Sequence, residues 1–572
     1  MTAPASTDGL SSRSTGASTT IPVVRCAILV AGAFGIVLAG VESPLFDLDR
    51  YAVPKELVLH LIALLSALTL LRGWRRFEPG VIDLLLLSYL AWSAFSALLA
   101  QNHWLALRGF GVSLSGAAIW FSARAVARDG LRPALLSGTA AAAVLAALLG
   151  AVQAYGFDIP WLATERPPGA TFGNRNFLAH LLVITLPTVL IGGLRVRRRV
   201  WFVFAMAALL LVSGTIILTR SRAAWLALAT QIGMLGLASF VLLRGMLHDR
   251  VHGYGAMRAG RTGRIASAIP DISSTVQRRM AVAALAVAAG ATLAVLVPNS
   301  LQWRSDSPYT ETLSRLADYR EGSGRGRLIQ YRNTLDLVRA DPLLGVGPGN
   351  WLVAYPRVTT PGDPSYAGSE PIPTNPWPSS DWLAFLSERG IVGSVLLLFA
   401  GIACVLTAVR RILQLRPVPA ALDGALALAT IVAAAVTGLF DAVLLLAAPT
   451  LFFWGILGAT LPATAPVRIW VPSLKQRSVT TAGTVMAFAM LTLVAAGGVA
   501  AIVIAGDGRD RDAVERALRY DPGNHRLHLL LSGRGACRLR VPHARAARNL
   551  LPEHPAPLQA LRACGISTES GE

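Results

Sequence analysis

The sequence predicts an all-α polytopic membrane protein with about 12 or 13 transmembrane helices. Its 572 residues are 53% hydrophobic and only 15% charged, and the mean hydropathy is +0.53. Soluble domains carry about 25% charged residues. The apolar residues here fall into blocks of roughly 20, the length that crosses a bilayer as a helix. These observations exclude a soluble enzyme, a disordered protein and a secreted disulfide scaffold.

The apolar blocks divide the chain into five parts. Residues 1–20, rich in Ser, Thr, Ala and Gly, are expected to be disordered. Residues 21–298 contain helices 1–9, residues 299–381 form a large loop, residues 382–505 contain helices 10–13, and residues 506–572 form a helical tail. The thirteen expected spans are 22–41, 55–71, 81–99, 107–127, 132–154, 176–194, 200–219, 223–243, 280–298, 382–409, 420–440, 442–461 and 480–505.

Arginine placement predicts the orientation of these spans. The formal charge is +20, which is also typical of nucleic-acid binding, but most arginines lie in short loops between apolar blocks. With the N-terminus in the cytoplasm, the arginine-rich loops, including 244–279, fall on the cytoplasmic side. The loops 155–175 and 299–381 and the turn 220–222 then lie outside. An odd number of spans places the tail outside as well.

The tail repeats a pattern weakly. Ala517 and Ala547 are each followed by a proline five residues later, which suggests a hairpin like that of tetratricopeptide repeats; an unspecific helical tail is the alternative. Cys537 and Cys564 are expected to pair if the tail faces an oxidising compartment. Cys26 and Cys404 fall in apolar blocks and are expected to be inert packing residues.

The outward loops carry more arginine than the positive-inside rule leads us to expect. Bidentate recognition of phosphate suits the guanidinium group, so a lipid pyrophosphate at the outer surface is the predicted partner. A solvated, ion-paired loop is the alternative. These outward arginines are Arg108, Arg166, Arg175, Arg220, Arg222, Arg304, Arg315, Arg320, Arg325, Arg327, Arg332, Arg339 and Arg357.

Three of these arginines give sharper predictions. Arg220 and Arg222 lie in a turn too short to project far from the bilayer, so they are candidate ligands for an anion, with snorkelling to the interface as the alternative. Apolar residues at 328, 331, 335 and 338 predict a helix with Arg327 in its first turn, where the helix dipole favours anions. Arg332 falls on a more exposed face.

Residues 345–350 (GVGPGN) lack the Lys-Ser/Thr pair of a phosphate-binding loop, and we interpret them as a turn. The sequence has no HExxH motif, no paired CxxC motif and no histidine cluster with metal spacing, so no metal or cofactor is expected.

Four stretches, taken in order, resemble the O-antigen ligase and Wzy-type O-antigen polymerase superfamily of bacterial membrane glycosyltransferases. The first is 169–180 (GATFGNRNFLAH), and the second is 219–228 (TRSRAAWLAL). The third joins 326–332 (GRLIQYR) to 341–350 (DPLLGVGPGN), and the fourth is 381–393 (DWLAFLSERGIVG). The resemblance covers about residues 25–460.

This resemblance implies a metal-independent, GT-C-like enzyme of the bacterial inner membrane with a periplasmic active face. Such enzymes transfer a glycan from undecaprenyl pyrophosphate to lipid A–core, to another repeat unit or to a protein. Arg222 and Arg327 match the family's pyrophosphate-binding arginines. The remaining residues expected to bind the donor are Asn174, Arg175, Asn176, Arg220, Arg325 and Arg332.

One departure concerns the base that activates the acceptor hydroxyl. The family histidine aligns with Ser379, and serine does not act as a base at neutral pH. Asp381 is the nearest replacement, with Glu370 and Glu388 as poorer ones; alternatively, Asp381 caps the following helix. The substitution leaves open a changed acceptor, a changed base or an inactive relative.

We therefore predict a transferase of lipid-linked glycans, of ligase or polymerase type, with Arg222, Arg327 and Asp381 as its catalytic residues. A transporter or flippase of the same lipid is one alternative. It requires polar residues at mid-membrane depth, whereas the polar residues here collect at the outer ends of the spans. A non-catalytic scaffold that recruits a protein partner through its tail is the other.

Overall fold

Helices are the regular structure of this chain. The computed structural model describes residues 16–72, 74–157, 166–238, 269–315, 322–359, 363, 376–414 and 418–566, and within them β-pairing is limited to two isolated bridges. The helices are α1 (Gly16–Leu38), α2 (Asp49–Leu71), α3 (Val81–Leu98), α4 (His103–Arg128), α5 (Arg132–Ala154), α6 (Arg175–Arg195), α7 (Arg199–Leu218), α8 (222–238, to the end of that described segment), α9 (Ile269–Leu296), α10 (Pro308–Ser314), α11 (Gly322–Ala340), α12 (Trp351–Ala354), α13 (Asp381–Leu413), α14 (Val418–Thr437), α15 (Ala447–Thr460), α16 (Leu474–Ala505), α17 (Arg511–Ala517), α18 (His525–Ser532), α19 (Cys537–Leu550) and α20 (Pro555–Arg562).

Eleven helices of the described residues have the length and hydropathy of membrane spans, which confirms the predicted polytopic class. The eighth expected span, 223–243, is helical as far as residue 238, and its last residues lie outside the described ones. These eleven helices are α1 to α7, α9, α13, α14 and α16.

The structure corrects three expected boundaries. The expected span 442–461 is the 14-residue helix α15, about 21 Å long and too short to cross the hydrocarbon core alone. Helix α9 begins at Ile269, inside the expected loop 244–279. Residues 1–15 lie outside the described residues, and helix begins at Gly16, so the segment expected to be disordered ends in helix.

The loops expected in the cytoplasm meet at one end of the helix bundle. There Asp423 of α14 is fully buried and accepts hydrogen bonds from Arg132 of α5 (2.5 Å), Arg195 of α6 (2.6 Å) and Arg411 of α13 (3.2 Å). One carboxylate thus joins four helices. We call this end the arginine-rich end, and it comprises residues 69–72, 74–79, 124–132, 195–199, 411–414, 418–423 and 462–473.

The loops expected outside meet at the opposite end. Ser300 donates its N–H to the carbonyl of Ala154 (2.9 Å), and the side chain of Asn350 accepts from the N–H of Asn102 (2.8 Å). Asn102 also donates to the carbonyl of Leu550 in the tail (3.1 Å). The long-loop end comprises residues 39–50, 100–102, 155–157, 166–174, 219–221, 297–315, 322–359, 376–380, 438–446 and 506–566.

The tail packs on the long-loop end as four short helices, α17 to α20. Phe46 and Val53 share an apolar cluster with Val514, Leu527 and Leu531 of the tail. Cys537 and Cys564 form a disulfide with their Cα atoms 5.5 Å apart, as predicted. The likeness to tetratricopeptide repeats stays a prediction.

A break in α13 fixes the loop between α11 and α12. Gly390 has a φ of 66°, and a Cβ there would lie 2.0 Å from the carbonyl oxygen of Leu343, so this position requires glycine. Val346 and Gly347 donate to the carbonyls of Ser387 and Glu388, both at 2.9 Å. Residues 345–350 form a turn, as predicted, and they anchor the long loop to α13.

Candidate active site

Two of the sequence-predicted arginines lie against Trp303, in the loop after α9. The guanidinium carbons of Arg175 and Arg220 each lie 4.7 Å from the centre of its ring. Arg175 is the first residue of α6, and Asn174 caps that helix by accepting from the N–H of Asn176 (3.0 Å). Two cations and a helix N-terminus therefore share one small region, which favours a bound anion.

Arg220 is held from several sides. Its φ is +53°, a left-handed conformation that costs a non-glycine residue about 1–3 kcal/mol. Its Nε donates to the hydroxyl of Thr312 (2.8 Å), and its Nη2 contacts the carboxylate of Glu311 at 3.4 Å. The turn between α7 and α8 is thereby fixed against α10.

Arg222 begins α8 and reaches the same short helix. Its Nη1 donates to the carbonyl of Arg315 (2.8 Å), and Arg315 forms an ion pair with Glu311 (3.2 Å). Glu311 is also the ion-pair partner of Arg220 (3.4 Å). Glu311 thus pairs with both Arg220 and Arg315, and Arg175 lies within electrostatic range of Arg220 and Arg166. We call Arg175, Arg220, Arg222, Arg315 and Trp303 the arginine cluster.

Helix α11 brings Arg327 near α6. The helix begins at Gly322, so Arg327 lies in its second turn and not in the first turn that we predicted. Arg327 is half-buried and within electrostatic range of His180 in α6. Arg332 is exposed, as predicted, and Arg325 is exposed as well. Arg327 is therefore more buried than Arg325 and Arg332.

The position aligned with the family histidine lies against α11. The side-chain oxygen of Gln330 accepts from the N–H of Ser379 (2.7 Å). The hydroxyl of Tyr331 lies 2.7 Å from the carbonyl oxygens of both Ser379 and Leu439. These contacts bind α11 to the segment before α13 and to the turn 438–446 that joins α14 to α15.

Asp381 clamps the same turn. Its carboxylate is fully buried and accepts from the N–H groups of Val443 (2.9 Å) and Leu444 (2.7 Å), and its own N–H donates to the carbonyl of Gly438 (2.8 Å). Ser380 occupies the N-cap position of α13, so Asp381 is not the cap of this helix, and its carboxylate binds another segment. Its role as the base stays a prediction. Of the poorer candidates, Glu388 is buried against Arg389 (2.9 Å), and Glu370 lies outside the described residues.

Two residues that our sequence reasoning did not single out lie beside these groups. Asp441, in the turn 438–446, is partly exposed and accepts from the side-chain amide of Asn176 (3.5 Å). His180, one helical turn after Asn176, is buried and within electrostatic range of Asp441 and Arg327. An acidic residue between two apolar blocks is the signal that marks Asp441.

The deciding comparison is with protein-family models. Residues 207–398 match the model described as O-Antigen ligase. These residues form an O-antigen ligase domain. The matched segment contains Arg220, Arg222, Arg327, Ser379 and Asp381, and the match confirms the resemblance predicted from the sequence. No curated protein matches the chain.

A cavity of about 140 Å³ lies between the O-antigen ligase domain, α2, α4 and the tail. Phe177 lines it, as do charged residues. Arg108 donates to both carboxylate oxygens of Glu56 at 3.0 Å and to Asp49 at 3.3 Å. Arg526 of the tail lies 3.8 Å from Asp49, so the tail covers the cavity.

Within the described residues, the O-antigen ligase domain and its surroundings contain no group of three or more His, Cys, Asp or Glu side chains arranged for a metal ion.

Proposed function

We propose that this protein is a membrane glycosyltransferase that transfers a glycan from undecaprenyl pyrophosphate to an acceptor at the long-loop end. The observation that carries the proposal is the arginine cluster, in which Arg175 and Arg220 lie against Trp303 at the N-terminus of α6 and Glu311 joins Arg220 to Arg315. The oxygens of a pyrophosphate match the paired N–H donors of arginine, and its negative charge suits a helix N-terminus beside two arginines.

The cluster also suits the reaction. As the acceptor oxygen bonds to the anomeric carbon, the bond from that carbon to the pyrophosphate oxygen breaks, and undecaprenyl pyrophosphate leaves with the bonding electrons. Arg222 of the cluster and Arg327 of α11, which lies outside the cluster, are the residues proposed to stabilise this developing charge. Because their positions are fixed by α8 and α11, little reorganisation is needed when the charge forms.

The acceptor hydroxyl must lose its proton to a base. Asp441 is the better-placed carboxylate because it is partly exposed. One of its oxygens accepts from the N–H of Ala442 (2.9 Å) and the other makes only a long contact with Asn176 (3.5 Å), whereas Asp381 is fully buried and both its oxygens accept backbone hydrogen bonds. We therefore propose Asp441 as the base, with Asp381 holding the turn that carries it. Phe177, adjacent to Asn176 in the chain, lines the cavity, which gives the acceptor an entry route under the tail.

The proposed location is the bacterial inner membrane, with the long-loop end in the periplasm. Arginine enrichment at the other end supports a cytoplasmic arginine-rich end. The disulfide between Cys537 and Cys564 supports an oxidising compartment around the tail.

Undecaprenyl pyrophosphate release tests this function. Purified protein receives a glycan-loaded donor, a mixture of lipid, saccharide and peptide acceptors, and EDTA. The wild type is compared with Arg327→Gln and with the control Arg509→Gln, which removes an exposed arginine of the long-loop end outside the site. We expect turnover in the wild type and the control, and a decrease of at least 100-fold in Arg327→Gln, typical for loss of a transition-state charge contact. Equal turnover in both variants contradicts the assigned role.

Ser379, in place of the family histidine, favours one competing function, that of a non-catalytic relative that binds or moves the same lipid. That function predicts that the donor binds and that its binding depends on Arg222, but that no acceptor mixture causes release of undecaprenyl pyrophosphate. The proposed transferase predicts both donor binding and this release.

A further inference from the structure

A second concave site lies at the arginine-rich end, far along the bundle from the arginine cluster. It is an open groove of about 410 Å³ between the start of α1 and the end of α2. No part of the proposed transfer reaction uses it. The residues that line it are Ile21, Arg25, Thr69, Leu70, Trp74, Arg75 and Arg76.

The groove has a fixed positive floor and a positive rim. Arg25 is 8% exposed, and its guanidinium donates to the hydroxyl (3.2 Å) and carbonyl (2.9 Å) of Thr69 and to Asp129 (3.4 Å). Arg75 and Arg76 are exposed at the rim. The lining thus contains three arginines and no acidic residue, and of the three Arg25 pairs with Asp129. The charge of the lining favours an anion.

The other walls have the character of a membrane interface. Trp74 packs edge-on against Trp470 with their ring centres 5.6 Å apart, and tryptophan is enriched at the level of lipid headgroups. Ile21 and Leu70 line the groove, and Val23, 56% exposed, begins the outward apolar surface of α1. The groove therefore combines a site for a phosphate with an adjoining surface for acyl chains.

We propose that this groove binds the phosphate of an acidic phospholipid from the adjoining leaflet. A free phosphate ion shares the charge but does not use the apolar walls, and a zwitterionic phospholipid shares the walls but brings no net negative charge. Basic pockets between helices at the cytoplasmic side are suited to acidic headgroups for these reasons.

Native mass spectrometry of the purified full-length protein tests the proposal, with phosphatidylglycerol and phosphatidylcholine as probes. The variant is Arg75→Gln/Arg76→Gln. The matched control is Arg197→Gln/Arg198→Gln, which removes two exposed arginines from the same end but outside the groove. Arg75→Lys/Arg76→Lys keeps the charge and separates its loss from misfolding.

We expect one phosphatidylglycerol bound to the wild type in preference to phosphatidylcholine. Each arginine near a membrane surface strengthens binding about fivefold, so the groove variant weakens it about 25-fold, whereas the control and the lysine variant stay within about threefold of the wild type. If phosphatidylglycerol binding weakened equally in the groove variant and the control, the effect would come from the overall positive charge of this end and not from the groove. Failure of the lysine variant to bind, no preference for phosphatidylglycerol, or displacement of the lipid by millimolar inorganic phosphate would each overturn the proposal.

Discussion

The variant Asp381→Asn tests whether Asp381 holds the turn 438–446 in place or acts as the base of the reaction. In the wild type, one carboxylate oxygen accepts from Val443 and the other from Leu444, at 2.9 and 2.7 Å. Asparagine keeps one acceptor and turns an NH₂ group toward the second N–H. The variant therefore loses one hydrogen bond and leaves a buried donor without an acceptor.

The magnitude follows from those two contacts. A hydrogen bond to a charged group contributes about 1.5–3 kcal/mol, and an orphaned buried donor costs about 1–3 kcal/mol. We expect Asp381→Asn to lower the free energy of unfolding by about 3 kcal/mol and Asp381→Ala, which loses both acceptors, by about 5 kcal/mol. Asp336→Asn, at an exposed ion pair on α11, is the matched control with an expected cost below about 0.5 kcal/mol.

Unfolding in detergent, followed by intrinsic tryptophan fluorescence, measures these differences, and donor turnover is measured on the same samples across pH. A clamp predicts reduced turnover with an unchanged shape of the pH profile, because the proposed base, Asp441, is retained. An Asp381→Asn variant as stable as the wild type would refute the clamp. Loss of the acidic limb of the pH profile would show that Asp381 is the base.

The tail provides two further predictions. Replacing Cys537 and Cys564 by serine opens a 27-residue loop, which lowers the free energy of tail unfolding by about 3.5 kcal/mol in the chain-entropy account; denaturant titration with and without dithiothreitol checks this, and equal midpoints would contradict it. Burial lowers the pKa of His525 to about 3 and that of His554 to about 4, so both stay neutral in the folded tail while the unfolded chain takes up protons below about pH 6.5. The tail is therefore expected to lose stability as the pH falls from 6.5 toward 4. The variant His554→Asn, which keeps an N-cap for α20, should weaken this pH dependence of stability. A pH dependence as steep as that of the wild type would count against His554.

The sequence predicted most spans because the length of an apolar block is a local property. Helices α2 to α7 lie within a few residues of the expected ranges, apart from an earlier start of α2 and α4. The expected span 442–461 is different, because its first residues form the turn that Asp381 binds from 62 residues away. Apolar content alone does not reveal a contact at that separation.

The sequence predicted which charged residues belong to the site, but it did not predict how they contact one another. The family motifs supplied Arg222 and Arg327, and the placement of arginines supplied Arg175 and Arg220. Trp303, which contacts both Arg175 and Arg220, lies in a loop without a motif. The carbonyl that Arg222 contacts is 93 residues away in the chain. Such contacts depend on how the loops fold back over the bundle, which no local pattern encodes.

Direct binding of undecaprenyl pyrophosphate tests the central claim most directly. The protein is placed in lipid nanodiscs, and the affinity of the wild type is compared with those of Arg222→Gln and the exposed control Arg509→Gln. Loss of one charged hydrogen-bond partner is expected to raise the Kd of Arg222→Gln by at least 10-fold, with the control within about twofold of the wild type. A wild type that does not bind the lipid, or an Arg222→Gln variant that binds it equally well, would contradict the account.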